Sequence, residues 1–468
     1  MNPEVRGSRP TLTWECPIDK RNLTVYRIVV TNETGRSFDT GMFKIPARDK
    51  NGVTLSMDGT SISTYSSTIH DASWGHAKQN PELKQVNYMA VVDHASGDVV
   101  YATSYDGSIN DKAVLPTIYA RMRNAGLSLE NNILVTDRGF NSIYNTQLAI
   151  NLEIKYLQFM SVNQHETQQR FRRKKALLID PVAARLSGFS NLSACSVDDV
   201  WSQATEAGPL TVRAQMHLYR NHAVAEFETN RLFQDVDAVL ERKKAQADEL
   251  RALQREQTAL HQKTLAGKGQ QAADRVAKTF EQKRKLMLSR HVVEDDLWRR
   301  VSPFLRQSRD SEGVAVWTAD YDALSRAAEF FGCQAIRTNV PGMSAATALR
   351  IYRQRQIIEQ GFRQLKNEVG GSRLEATEAA YRGKLFVYTL AESIRMNMLA
   401  TVARNLKGNP ALKLPGDSLR KVLIQLRSVQ ARKHCSTDVF VVGAVAKRHR
   451  DVLTLLGIEK LPKTVNRF

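Results

Sequence analysis

The chain has 468 residues, 42% of them hydrophobic and 25% charged, enough for two or three cores and ordinary for a globular protein. Its 67 Lys and Arg against 48 Asp and Glu give a net charge of +19, an excess that suits a polyanionic partner such as nucleic acid. Cys16, Cys195, Cys333 and Cys435 are scattered, which excludes a CxxC metal site or a disulfide scaffold and fits a reducing, cytoplasmic setting.

The first residues carry no apolar signal core, and "TLTWECPIDKRNLTVYRIVV" (11–30) reads as strands with no helix-turn-helix pattern. From 52 to 163 strand and helix signals alternate. "GVTLSMDG" (52–59) leans to β, and residues 85–107 predict a hairpin turning at Ala95–Gly97. Residues 111–126 have helical spacing and close on Gly126. "NNILVTDRGF" (131–140) is a short strand entering a turn, followed by a helix near 143–152 and a strand over 155–163. The order β-β-β-α-β-α-β predicts a mixed α/β sheet.

The run "RFRRKK" (170–175) is short and dense enough to be a DNA contact, or else a solvated surface. Residues 208–230 read as strands. Between 235 and about 300 the text predicts a basic antiparallel helical hairpin, broken at Gly267-Lys268-Gly269. Such charge is more often a solvated face than a DNA grip. Past residue 375 the chain reads as helices with a basic exterior. The apolar run 385–403 carries Glu392 and Arg395, so it predicts a buried helix rather than a membrane span.

One stretch, "YRQRQIIEQGFRQLK" (352–366), sets a single carboxylate, Glu359, among cations. At 100° per residue Tyr352, Arg355, Glu359 and Lys366 share an arc of about 60°. Ile351, Ile358, Phe362, Leu365 and Val369 form an adjoining apolar face, and Gly370-Gly371 ends the helix. By geometry alone this is also a common arrangement on a structural helix.

The spacing Tyr352-x2-Arg355-x3-Glu359-x6-Lys366 resembles the Y-R-E-K signature of the insertion-sequence-four family of bacterial DDE transposases. "SMDGTSIS" (56–63) and "LVTDRGF" (134–140) resemble that family's two aspartate segments, with Asp58 and Asp137 in the matching positions. "GIEKLPKT" (457–464) is similar to the tail of one subgroup. Taken singly, Asp58 before Gly59 and Asp137 before Arg138-Gly139 read as turn residues. Asp93, Asp98, Asp106 and Asp111 compete for a carboxylate role from hairpin or loop text.

The resemblance implies an RNase H-like mixed sheet core, interrupted by a large insertion domain and followed by a helical C-terminal region. Its boundaries are a lead segment at 1–50, a first core part at 51–163, an insertion at 164–343, the Glu359 helix at 344–372 and the C-terminal region at 373–468. Only 57 residues precede Asp58, so a shortened end-reading segment is expected. The implied catalytic triad is Asp58, Asp137 and Glu359, which also ligate two Mg²⁺ ions, with Mn²⁺ as a substitute. Tyr352, Arg355, Lys366 and Arg138 are the implied DNA contacts. The implied activity is cut-and-paste DNA transposition by a homodimer in a synaptic complex with double-stranded DNA, off any membrane, in a prokaryotic cytoplasm on the nucleoid. A nuclease of the same fold that cuts without joining, or a DNA-binding remnant, would carry much of the same sequence.

Overall fold

The computed structural model describes the backbone of residues 11–15, 24–31 and 37–45 and, with most side chains, residues 52–75, 80, 82–124, 129–130, 132–206, 208–409, 411–433, 439–458, 461 and 463–466. Gly126, Cys16 and Cys435 lie outside the described residues. Strands β1 (Thr11–Glu15), β2 (Thr24–Thr31) and β3 (Ser37–Ile45) form an antiparallel sheet of their own.

The main sheet begins with β4 (Thr54–Thr64), β5 (Lys84–Asp93) and β6 (Val99–Asp106), then α1 (Asp111–Asn124), β7 (Ile133–Thr136), α2 (Ile143–Asn151) and β8 (Lys155–Met160). This is the alternation that the hydrophobic pattern predicts. β5 pairs antiparallel with β4 and β6, whereas β7 runs parallel to β4 and β8 parallel to β7. Two short helices, α3 (His165–Arg173) and α4 (Lys175–Ile179), lead to a long hairpin of β9 (Leu192–Thr205) and β10 (Gly208–Asn221). After the helical excursion described below, β13 (Cys333–Thr338) pairs with β8 and β10. The result is one eight-stranded mixed sheet in the order β6-β5-β4-β7-β8-β13-β10-β9.

Between β10 and β13 lie α5 (His222–Lys268), α6 (Gln270–Arg290), α7 (Asp295–Val301), the hairpin of β11 (Leu305–Arg309) and β12 (Ala315–Ala319), and α8 (Tyr321–Ala328). α5 starts at His222, so 222–230 is helix and only 208–221 is strand. The reason is local: the Asn221 side chain accepts from the Val224 N–H, a good N-cap, and the Ala- and Glu-bearing residues that follow favour helix. Gly269, at φ +77°, separates α5 from α6, and Ala247, Ala273, Phe280 and Met287 are buried between them.

The chain then runs through α9 (Ala345–Gln354), α10 (Gln356–Glu368), α11 (Glu378–Gly408) and α12 (Leu419–Leu426). A small sheet of β14 (Ala431–Lys433), β15 (Val439–Val442) and β16 (Thr464–Asn466), with α13 (Lys447–Leu455), closes it. Those strands interrupt what the sequence reads as a helical terminus. Among the described residues no helix is long and apolar enough to cross a membrane.

Both faces of the sheet are covered, which is why β5 is buried along almost its whole length. On one face Met57, Met89 and Val91 pack against Val114, Ile118 and Met122 of α1. On the other, Ile62, Val86 and Tyr88 receive Ile358, Phe362 and Leu365 of α10 with Tyr381 and Leu385 of α11. Each such side chain taken fully from water contributes about 2 kcal/mol. That layer fixes α10 across the middle of β4.

Candidate active site on the central strand

The stretch 345–368 is two helices rather than one. Arg355 stands at the joint, where Arg355 N–H reaches Tyr352 O and Ile358 N–H reaches Arg355 O, both at 3.0 Å. These are i→i−3 bonds, so the turn tightens there. α9 packs by Leu349, Ile351 and Tyr352 over β7, β8 and β13, while α10 packs over β4 and β5. α10 ends as its glycines lead one to expect, with Gly370 at φ +85° and the Gly371 N–H on Leu365 O at 2.9 Å.

Asp58 sits mid-strand on β4 with its side chain 17% exposed. Arg355 Nη1 donates to Asp58 Oδ2 at 2.8 Å, and Nη2 of the same guanidinium donates to Glu359 Oε1 at 2.9 Å. Arg355 is 13% exposed and Glu359 44%. Asp58 Oδ1 also accepts from the Gly59 N–H at 2.8 Å. Burial pushes the Asp58 pKa up to about 6; Arg355 and the Gly59 bond oppose this, and the negative charge of Asp137 adds to it. Burial disfavours the charge of Arg355, but Asp58, then Tyr352, Asp137 and Glu359, together outweigh it and raise its pKa.

Asp137 lies just past the end of β7, the strand next to β4, and its carboxylate accepts from the Gly139 N–H at 2.7 Å, capping a short 3₁₀ turn. It is therefore a turn residue by geometry and also a charge felt at Asp58 and Arg355. Arg138 beside it is exposed. Tyr352 is half-buried, stacked on Phe159 at 4.9 Å, with the Arg355 guanidinium 5.8 Å from its ring; burial pushes its hydroxyl up to about 12. Lys366 lies half-buried on α10, two turns beyond Glu359. Among the described residues no group of three or more His, Cys, Asp or Glu side chains is arranged to hold a metal ion.

The competing carboxylates have local duties. Asp93 accepts from the Ala95 N–H and the Ser96 hydroxyl, and Asp98 from the Asn397 amide. Asp106 accepts from Ser73 and Ser108. Asp111 opens α1 rather than sitting in a loop, takes the Tyr105 hydroxyl, and lies where a Cβ on Gly59 would meet it at 2.9 Å. The basic run 170–175 is partly spent on ion pairs: Arg170 with Asp199, and Arg172 and Lys175 with Glu329. Trp74 is 60% exposed.

Two further groups escape the sequence reading. Ser56, two residues before Asp58 and thus on the same side of β4, hydrogen-bonds His94 Nε2 at 2.5 Å. The other ring nitrogen of His94 meets Gln354 Oε1 at 3.3 Å, one residue before the Arg355 joint. Burial lowers the His94 pKa, against the Gln354 bond, so the neutral ring is favoured. The i−2 spacing could have flagged Ser56, but nothing local flags His94. Behind α10, Glu392 of α11 is fully buried and accepts from the Tyr88 hydroxyl at 3.1 Å. Its other oxygen faces Gly361, where an added Cβ would lie 2.8 Å away.

The fold and site define an α/β protein in which a carboxylate on the central strand and one on a helix share a single guanidinium, with a further aspartate just past the end of the adjoining strand. Residues 50–380 match the family described as the transposase DDE domain. The chain belongs to that family. Among solved structures, the chain resembles the piggyBac transposase of a cryo-EM synaptic complex with hairpin DNA at 7% identity and a TM-score of 0.32. That match covers 81% of this chain, which spans about half (52%) of the length of the other. No curated protein matches.

Proposed function

We propose that this protein is a cut-and-paste DNA transposase of the Y-R-E-K type, with Asp58, Asp137 and Glu359 as its catalytic carboxylates. The observation that carries the reading is the joining of Asp58 and Glu359, 301 residues apart in sequence, through Arg355, with the charge of Asp137 acting on Asp58 and Arg355. The strand order β6-β5-β4-β7-β8, three antiparallel strands followed by two parallel ones, supports an RNase H-like core.

Three carboxylates form a hard-oxygen donor set of the kind that suits Mg²⁺ or Mn²⁺. Arg355 is the single guanidinium bonded to both Asp58 and Glu359, so these carboxylates with Asp137 carry more negative charge than it balances, which favours a further cation there. Asp58, Asp137 and Glu359 would hold two ions, which when bound supply an activated oxygen nucleophile and a stabilised leaving oxygen. Arg138, exposed beside Asp137, and Lys366, on α10, offer point contacts to phosphates flanking the scissile one, and Arg355 a bidentate one. Tyr352 and Phe159 supply a stacked aromatic wall on the β8 side. Two copies would pair two transposon ends, acting in a prokaryotic cytoplasm on the nucleoid.

The test uses linear DNA carrying the sequences that flank the coding region on either side, with Mg²⁺. Asp58→Ala, Asp137→Ala and Glu359→Ala should each lower end cleavage by at least about 100-fold, roughly 3 kcal/mol of transition-state stabilisation. Variants that cut as well as the parent would sink the assignment. Cleavage by the parent with no joined product would assign a nuclease instead.

A further inference from the structure

One oxygen of Asp58 and one of Glu359 are already held by a single cation of the chain's own. Arg355 reaches both at hydrogen-bond distance, from a joint between two helices, with the Tyr352 ring on one side and the charge of Asp137 within reach. A guanidinium and a divalent ion on the same oxygens would be like charges in contact, in a pocket where Asp58 and Arg355 are less than a fifth exposed. The two are alternative occupants.

We propose that Arg355 is an exchangeable counter-ion: it holds Asp58 and Glu359 in register in the DNA-free protein, and divalent metal and a DNA phosphate displace it together. This rests on the reading of Asp58 and Glu359 as metal ligands. The released guanidinium has a new partner only when DNA is present, as a phosphate oxygen takes the place of the carboxylates. Metal without DNA must therefore expel Arg355 with nothing to receive it, whereas metal with DNA exchanges one set of charge-assisted bonds for another. Metal and DNA then bind with positive coupling, and the coupling is reciprocal. The i→i−3 bonds at the joint leave Arg355 at a point where α9 and α10 are already separate segments, so its side chain can redirect without unwinding either.

The experiment is titration of the DNA-free full-length protein with Mn²⁺, reading free Mn²⁺ by its electron paramagnetic resonance signal. Arg355→Gln should bind Mn²⁺ at least about tenfold more tightly than the parent, and Arg355→Lys should fall between them. End DNA should tighten Mn²⁺ binding to the parent by at least about tenfold and to Arg355→Gln by much less. Mn²⁺ binding in Arg355→Gln that is equal to the parent's or weaker overturns the proposal. If that variant fails to fold, the parent decides alone, and an absence of tightening by DNA overturns the exchange. Saturable Mn²⁺ binding that Asp58→Asn abolishes and Arg355→Gln leaves unchanged defeats the exchange only. No saturable binding in parent or variants, with or without DNA, defeats the metal site itself.

Discussion

Glu392 gives the sharpest quantitative expectation. Its carboxyl is buried between α10 and β5, with the Tyr88 hydroxyl on one oxygen and the Gly361 backbone against the other. Burial pushes its pKa from 4.5 up to about 7, opposed in part by the Tyr88 bond. The folded protein therefore keeps a proton that the unfolded chain has released between those values. The contribution of Glu392 to stability is full below pH 4.5 and is lost as pH rises through 7. At 1.36 kcal/mol per pKa unit the loss reaches about 3 kcal/mol. Glu392→Gln copies the protonated shape and cannot ionise. Its stability relative to the parent should rise by about 2–3 kcal/mol between pH 5 and pH 8.5, most of it before pH 8. Urea unfolding followed by tryptophan fluorescence at several pH values measures this, and other titrations cancel in the difference. A difference that stays flat with pH, or a Gln variant less stable at pH 8.5, would refute the burial argument.

Two other substitutions separate positioning from folding. His94→Ala removes the bridge from Ser56 to Gln354; end cleavage should fall about tenfold while stability falls by only about 1 kcal/mol. A cleavage loss that merely follows the unfolded fraction would make His94 structural. Asp199 is fully buried and shared by Arg170 Nε at 2.5 Å and Arg337 Nε at 2.6 Å, with Trp201 over the Arg337 guanidinium. Asp199→Ala leaves Arg337, 2% exposed, without its counter-ion and should cost about 3–5 kcal/mol in chemical unfolding. A cost below about 1 kcal/mol would mean that water reaches the pair.

What the sequence made legible was local. The hairpin signal in 85–107 and the helical spacing that starts at Asp111 come from side chains a few positions apart, and both elements form where the pattern puts them. The joining of β9, β10 and β13 to the same sheet depends on pairings such as Gln158 with Arg337, which no short window contains. The start of α5 is hidden in the sequence because Tyr219 and the alternating residues before it mask a cap only one residue long. Within the site, Asp58 and Glu359 could be picked out one at a time. That a single guanidinium would join them, or that His94 would reach over to Gln354, depends on how α9 and α10 lie on the sheet.

The joint at Arg355 explains why one polar stripe serves two strands. An unbroken helix would have to carry Tyr352 and Phe362 along one straight axis over the sheet. Instead Tyr352 packs with Phe159 in the layer over β7 and β8, and Phe362 packs near Tyr88 in the layer over β4 and β5. The tightened turn separates those two layers, and β4, which carries Asp58, pairs directly with β7, just past which Asp137 lies. Arg355 occupies that turn, so its guanidinium can lie along β4 toward Asp58 while Glu359, one turn on, faces back to it. Straightening the joint would carry Arg355 toward one layer or the other and pull one carboxylate out of range. The break in the helix is thus part of how the site is assembled, and the Ser56–His94–Gln354 bridge pins it at its N-terminal side.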